Sequence, residues 1–136
     1  MIAMLQEYGF IYDSSLMEYV NPYRHELADG GQGPIELPWH WSVDDAPYAL
    51  FSIKNPRPIM TNEHILSIWK QEFMEIYRWG GLLNVLTHPQ ITGRPARIAM
   101  LREFIAFMRQ FPGVWFATGE EVAKAWSQAV EQRTPT

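Results

Sequence analysis

Leu82-Leu83-Asn84-Val85-Leu86-Thr87-His88-Pro89 is the stretch that decides the fold. Its mostly apolar run suits a strand covered on both faces, and it ends on a histidine followed by a proline. Gly80-Gly81 stands just before it and closes a helical pattern capped by Thr61 or Asn62, with Ile65, Ile68, Trp69, Phe73, Ile76 and Tyr77 at helical spacing. On the other side, Arg94-Pro95 opens a second helix, because proline is tolerated in a first turn. Ile98, Leu101, Phe104, Ile105, Met108 and Phe111 form its apolar face, and Pro112-Gly113 stops it. Val114-Trp115-Phe116-Ala117 reads as the next strand. Thr118-Gly119-Glu120-Glu121 then has the form of a capping box for a last helix running through Trp126 and Val130. Helix, strand, helix, strand, helix at this spacing predicts an α/β fold of parallel strands with crossover helices.

The chain before Thr61 is less regular. Met1 to Tyr8 reads as the end of an amphipathic helix with Gly9 as terminator, and a domain seldom begins in the last turns of a helix, so truncation is expected. Phe10-Ile11-Tyr12-Asp13-Ser14-Ser15 reads as a short buried strand with a polar C-terminal end. Leu16 to Pro34 carries the turn formers Asn21-Pro22 and Asp29-Gly30-Gly31 and reads as a long loop. Ile35 to Trp41 is extended, since Pro38 rules out a helix interior. Asp44-Asp45-Ala46-Pro47 closes that segment, and Asn55-Pro56-Arg57-Pro58 marks another irregular connection.

At 136 residues, 47% hydrophobic and 14% aromatic, the chain is sized and composed for one packed domain. A net charge of −4 gives no electrostatic reason to expect nucleic acid or an anionic membrane as partner. No stretch approaches the roughly 20 apolar residues of a spanning helix, and the N-terminus lacks a basic leader pattern. Zero cysteines exclude disulfides, zinc ribbons and thiol nucleophiles, and together these features lead to the expectation of a cytoplasmic protein.

In parallel α/β folds the functional groups gather where strands end. His88 occupies such a position and suits a general acid or base; a histidine that only bonds the loop backbone fits the position equally. Asp44 and Asp45 can orient a histidine, bind a metal or bind substrate hydroxyls, while a turn in which one aspartate caps backbone amides is the commoner arrangement. Trp39 and Trp41 flank His40 and, by strand alternation, share one face that would serve as an aromatic platform, although tryptophan more often packs in a core. Arg94 and Arg97 begin the second helix and suit either an anionic substrate group or a solvated face. Asp13-Ser14-Ser15 is open to phosphate or metal, with an Asx or Ser turn the more frequent outcome. The four histidines offer no H-x-x-x-H or H-E-x-x-H spacing, and the chain has no G-x-S-x-G, P-loop or G-x-G-x-x-G.

Four ordered stretches carry a resemblance. They are Glu7 to Met17 (EYGFIYDSSLM), Glu36 to Pro47 (ELPWHWSVDDAP), Leu86 to Arg94 (LTHPQITGR) and Gly113 to Thr118 (GVWFAT). Together they resemble the polysaccharide-deacetylase (NodB-homology) superfamily, in the branch holding cyclic-imidase-like and allantoinase-like members. The resemblance implies the C-terminal portion of a distorted (β/α) barrel, with residues 1–136 forming a single partial domain. It implies hydrolysis of a non-peptide C–N bond in an acetamido sugar or a cyclic amide or ureide. His88 maps to the histidine that protonates the leaving nitrogen, and Asp44 and Asp45 map to the acidic positions beside it. Trp39, Trp41 and Arg94 are the expected substrate contacts. Metal-dependent relatives often hold zinc through an Asp-Asp pair and an H-x-x-x-H pair that precede this region, so no metal ligand or other cofactor is expected within this chain. The expected partners are a carbohydrate or small-molecule substrate and either the complementary N-terminal half or a second copy. The alternative is a non-catalytic half-barrel that binds carbohydrate or pairs with a partner chain.

Overall fold

The computed structural model describes residues 1–54 and 56–131. In chain order the elements are α1 (Ile2–Glu7), β1 (Tyr12–Asp13), β2 (Tyr23–Glu26), β3 (Gln32–Glu36), a 3-10 turn (Trp41–Val43), α2 (Ala46–Ala49), α3 (Asn62–Trp79), α4 (Pro89–Thr92), α5 (Pro95–Met108) and α6 (Gly119–Glu131). They fall into two compact units, one formed by Met1–Trp39 with the chain from Trp115 onward, the other by His40–Val114. Of the irregular connection expected at Asn55 to Pro58, Asn55 lies outside the described residues; the rest is irregular.

The first unit is built on a three-stranded sheet in the order β1-β3-β2. Helix α1 ends as its sequence predicts. Gly9 takes φ +77°, a left-handed conformation that glycine adopts without a Cβ penalty. Its N–H reaches the Gln6 carbonyl at 3.1 Å and that of Phe10 reaches Leu5 at 2.9 Å, the pair of bonds that closes a Schellman motif. β1 runs parallel to β3, pairing Tyr12 with Ile35 and Asp13 with Glu36. β2 runs antiparallel to β3, so the expected Leu16–Pro34 loop in fact contains a hairpin arm. Asp29-Gly30-Gly31 is its turn: the Leu27 amide reaches the Gly31 carbonyl at 2.8 Å. The strand hides in the sequence because Tyr23-Arg24-His25-Glu26 carries no apolar alternation. Between Arg24 and Glu26 the ladder is bulged, with His25 facing both Gly33 and Pro34. A bulge is where a central strand can accept a proline, which has no N–H to give to the ladder. At the other end of the unit, Thr118 and Glu121 form the predicted capping box of α6. The Thr118 amide donates to Glu121 Oε2 at 2.7 Å and the Glu121 amide to Thr118 Oγ1 at 3.3 Å.

The second unit is helical at its core. α3 and α5 pack through Ile65, Leu66, Trp69, Phe73, Met100, Phe104 and Met108, with Val43 beneath them. Trp69 and Phe104 are wholly buried with ring centroids 5.5 Å apart. Thr61 caps α3 by accepting the His64 amide at 3.3 Å, and Gly80 ends it.

Two expected strands do not form ladders among the described residues. Leu82 to His88 makes one parallel bridge, Leu86 with Asp44, and Val114 to Ala117 makes none. Apolar patterning prepares a segment to be a strand, but only a hydrogen-bonded neighbour makes it one. The α/β class holds, with parallel pairing at β1–β3 and at Asp44–Leu86 and an antiparallel β2 added. Among the described residues no helix is long and apolar enough to cross a membrane.

Candidate active site

The site is set by the backbone before any side chain takes part. The 3-10 turn Trp41–Val43 delivers Asp44 to a parallel bridge with Leu86, where the Leu86 amide donates to the Val43 carbonyl at 3.0 Å. The Asp45 amide in turn donates to the Leu86 carbonyl at 3.2 Å. Two residues beyond Leu86 comes His88, whose carbonyl accepts the amides of Ile91 and Thr92 at 2.9 and 2.8 Å and so starts α4. That tight turn demands Gly93, since a Cβ there would lie 2.2 Å from the Pro89 carbonyl oxygen.

Asp45 is the hub. Its Oδ1 lies 2.6 Å from His88 Nδ1 and its Oδ2 accepts the His88 backbone amide at 2.9 Å. Oδ2 also accepts a short hydrogen bond from the Thr92 hydroxyl. An ionised carboxylate only accepts, so Nδ1 carries the proton on this bond and Nε2 is the ring nitrogen left for another partner. Asp44 accepts the Ala46 amide at 2.8 Å and stands 3.5 Å from His88 Nδ1. Both aspartates are 1% exposed, whereas the His88 side chain is 35% exposed. The hydrogen bond to Asp45 holds the His88 pKa above the ordinary histidine value; desolvation opposes this, and the charges of Asp45 and Asp44 add to it. The two sequence readings of the Asp-Asp pair are thus divided between its members: Asp44 caps a turn and Asp45 orients the histidine.

His88, Asp44 and Asp45 are therefore brought together. Trp41 is 53% exposed at the start of the 3-10 turn, so the extended alternation expected to align it with Trp39 ends at His40. Trp39 is half-buried at the end of the first unit. Arg94 is exposed at the start of α5. Arg97 is committed to structure, donating to Asn62 Oδ1 at 2.8 Å and to the Met60 carbonyl at 2.7 Å. Sequence reading overlooked Thr92; its signal is its place one helical turn after His88, directly before Gly93.

The zinc that the resemblance implies for relatives finds a poor seat here. One ligand atom each of Asp44, Asp45 and His88 lies within 4.8 Å of the others. Asp45, however, gives both oxygens to protein donors. Among the described residues no buried oxygen of Asp44 or Asp45 lacks a partner, so no orphaned group here calls for an ion.

No family model matches the chain. A curated relative, the peptidoglycan deacetylase of Helicobacter pylori, is 25% identical over 146 aligned positions that cover 88% of this chain and 50% of that protein. A solved structure from Mycobacterium smegmatis, described as a "putative polysaccharide deacetylase", superposes with a TM-score of 0.83 at 34% identity, covering 97% of this chain and 45% of its own. Puue allantoinase shares the fold, with a TM-score of 0.78 at 23% identity over 92% of this chain and 41% of its own. The chain thus spans about half the length of the proteins it matches, or less. The α/β architecture and these likenesses agree, and the chain belongs to the polysaccharide-deacetylase (NodB-homology) superfamily.

Proposed function

We propose that this chain supplies the proton-donating side of a hydrolase acting on a non-peptide C–N bond, in an acetamido sugar or a cyclic amide or ureide. The observation that carries the reading is the His88–Asp45 pair. An amide nitrogen is a poor leaving group until it is protonated, and a histidine whose pKa a buried carboxylate raises can give it that proton. In this mechanism Nε2 of His88 faces the scissile nitrogen. Asp45 fixes the ring's orientation and stabilises the imidazolium, and Asp44 adds negative charge beside it. Once water has added to the carbonyl carbon and lost a proton, Nε2 gives its proton to the nitrogen of that adduct, the C–N bond breaks, and a carboxylic acid and a neutral amine result. Trp41 and Arg94, in the same unit as His88, serve as substrate contacts. The groups that activate water would come from a complementary half, where the zinc that the resemblance implies for relatives would serve to activate water. A cytoplasmic location fits a chain without cysteine.

A second reading is a non-catalytic half-barrel that binds carbohydrate or pairs with another chain. The exposed apolar side chains of Phe10, Ile11 and Leu16 in the first unit favour pairing. The two readings separate when the chain, joined by its complementary half, is offered N-acetylglucosamine oligomers and cyclic ureides. Acetate release or ring opening that disappears in His88→Ala supports the hydrolase. Binding of the oligomers with neither product, in wild type and variant alike, supports the second reading and overturns the first.

A further inference from the structure

The first unit holds a separate group of ligating side chains that the proposed chemistry does not use. The sheet register sets Asp13, Glu36 and Tyr23 in one row across β1, β3 and β2. His25 lies two residues from Tyr23 on β2, at the bulge, a feature that often re-aims a side chain. The carboxylate oxygens of Asp13 and Glu36 and a ring nitrogen of His25 all lie within 4.8 Å of one another. Glu36 is 0% exposed and His25 7%.

The hydrogen bonding within this group is incomplete in one place. Glu36 is satisfied: Oε2 lies 2.9 Å from His25 Nε2, and Oε1 accepts the Leu16 amide at 2.8 Å. Asp13 Oδ1 accepts the Ser14 amide and the Ser15 hydroxyl, each at 2.9 Å, the Asx-type turn its sequence suggests. Asp13 Oδ2 is buried and has no partner among the described residues. A carboxylate oxygen closed off from water and left unpaired is costly, more so next to a second buried carboxylate. One imidazole, even protonated, leaves the group with net negative charge. A divalent cation would balance it.

We propose that Asp13, His25 and Glu36 form a three-ligand site for a divalent transition-metal ion of the zinc class. One imidazole and two carboxylates are a donor set such ions accept, and three protein ligands leave a coordination position for water or substrate. The site uses neither the Asp-Asp pair nor the H-x-x-x-H pair through which relatives hold zinc, and it is independent of His88.

The test is calorimetric titration of the chelator-treated full chain with zinc chloride, with the histidine ring resonances followed by NMR. One equivalent is expected to bind, perturbing the ring signals of His25 and leaving those of His88 in place. Asp13→Asn keeps the Oδ1 turn contacts and removes the anionic Oδ2. It is expected to weaken zinc by more than about tenfold, a loss that second-shell changes alone can reach, while His88→Ala binds zinc like wild type. The proposal fails if the wild-type chain shows no saturable binding, or if zinc moves the His88 signals and not those of His25. The ring signals are read on the wild-type chain, so the test stands whether or not Asp13→Asn folds.

Discussion

At the residue scale, the site depends on one carboxylate doing two things. Asp45 binds the His88 backbone amide and ring Nδ1 together, so the residue's main chain and side chain are fixed by the same group. The electrostatic consequence has a definite sign. The folded-state His88 pKa is raised, so its proton stabilises the fold below the unfolded value of about 6.5, and this contribution is lost as pH rises through the higher folded value. Asp45→Asn removes the negative charge while keeping an acceptor oxygen. An NMR titration of the His88 ring should show its midpoint falling toward the ordinary histidine value in this variant, and an unchanged midpoint would remove Asp45 as the cause. The residues of this trio could be chosen from the sequence because they end an apolar run and close an extended segment. Thr92 and the His25–Glu36 pair could not, because their roles exist only through partners 47 and 11 positions away.

At the scale of elements, what was legible follows from where each element gets its stability. α3, α5 and α6 carry their information locally, in helical spacing and in the Thr61 and Thr118–Glu121 caps, and they form where expected. Strands are completed by neighbours. Leu82 to His88 and Val114 to Ala117 have strand composition yet gain a single bridge between them, while polar Tyr23–Glu26 becomes a strand because β3 lies alongside. The α3–α5 contact forms the core of the unit that carries the site, and Val43, next to Asp44, packs into it. Phe104, wholly buried against Trp69 and Phe73, is its centre. Phe104→Ala should cost about 3–5 kcal/mol in a denaturant melt. A loss below about 1 kcal/mol would show that α5 does not rest on this contact.

At the scale of the whole molecule, each compact unit offers chemistry of a different kind. The His40–Val114 unit carries the hydrogen-bonded His88–Asp45 pair, and the unit containing the sheet carries the proposed cation site. The chain matches its relatives over half their length or less, so the activity proposed for it includes groups outside these residues. What the chain itself contributes can still be isolated by chemistry. A general acid matters when the departing nitrogen is basic and matters little when the nitrogen leaves without help. The decisive measurement is therefore the turnover of His88→Ala against wild type, in the complemented protein, on an acetamido sugar and on an activated acetanilide with a strongly electron-withdrawing ring. The account predicts a loss of about 10²–10⁴ on the sugar and near-wild-type turnover on the activated amide. Equal losses on both, or activity within a few-fold of wild type on the sugar, would contradict it.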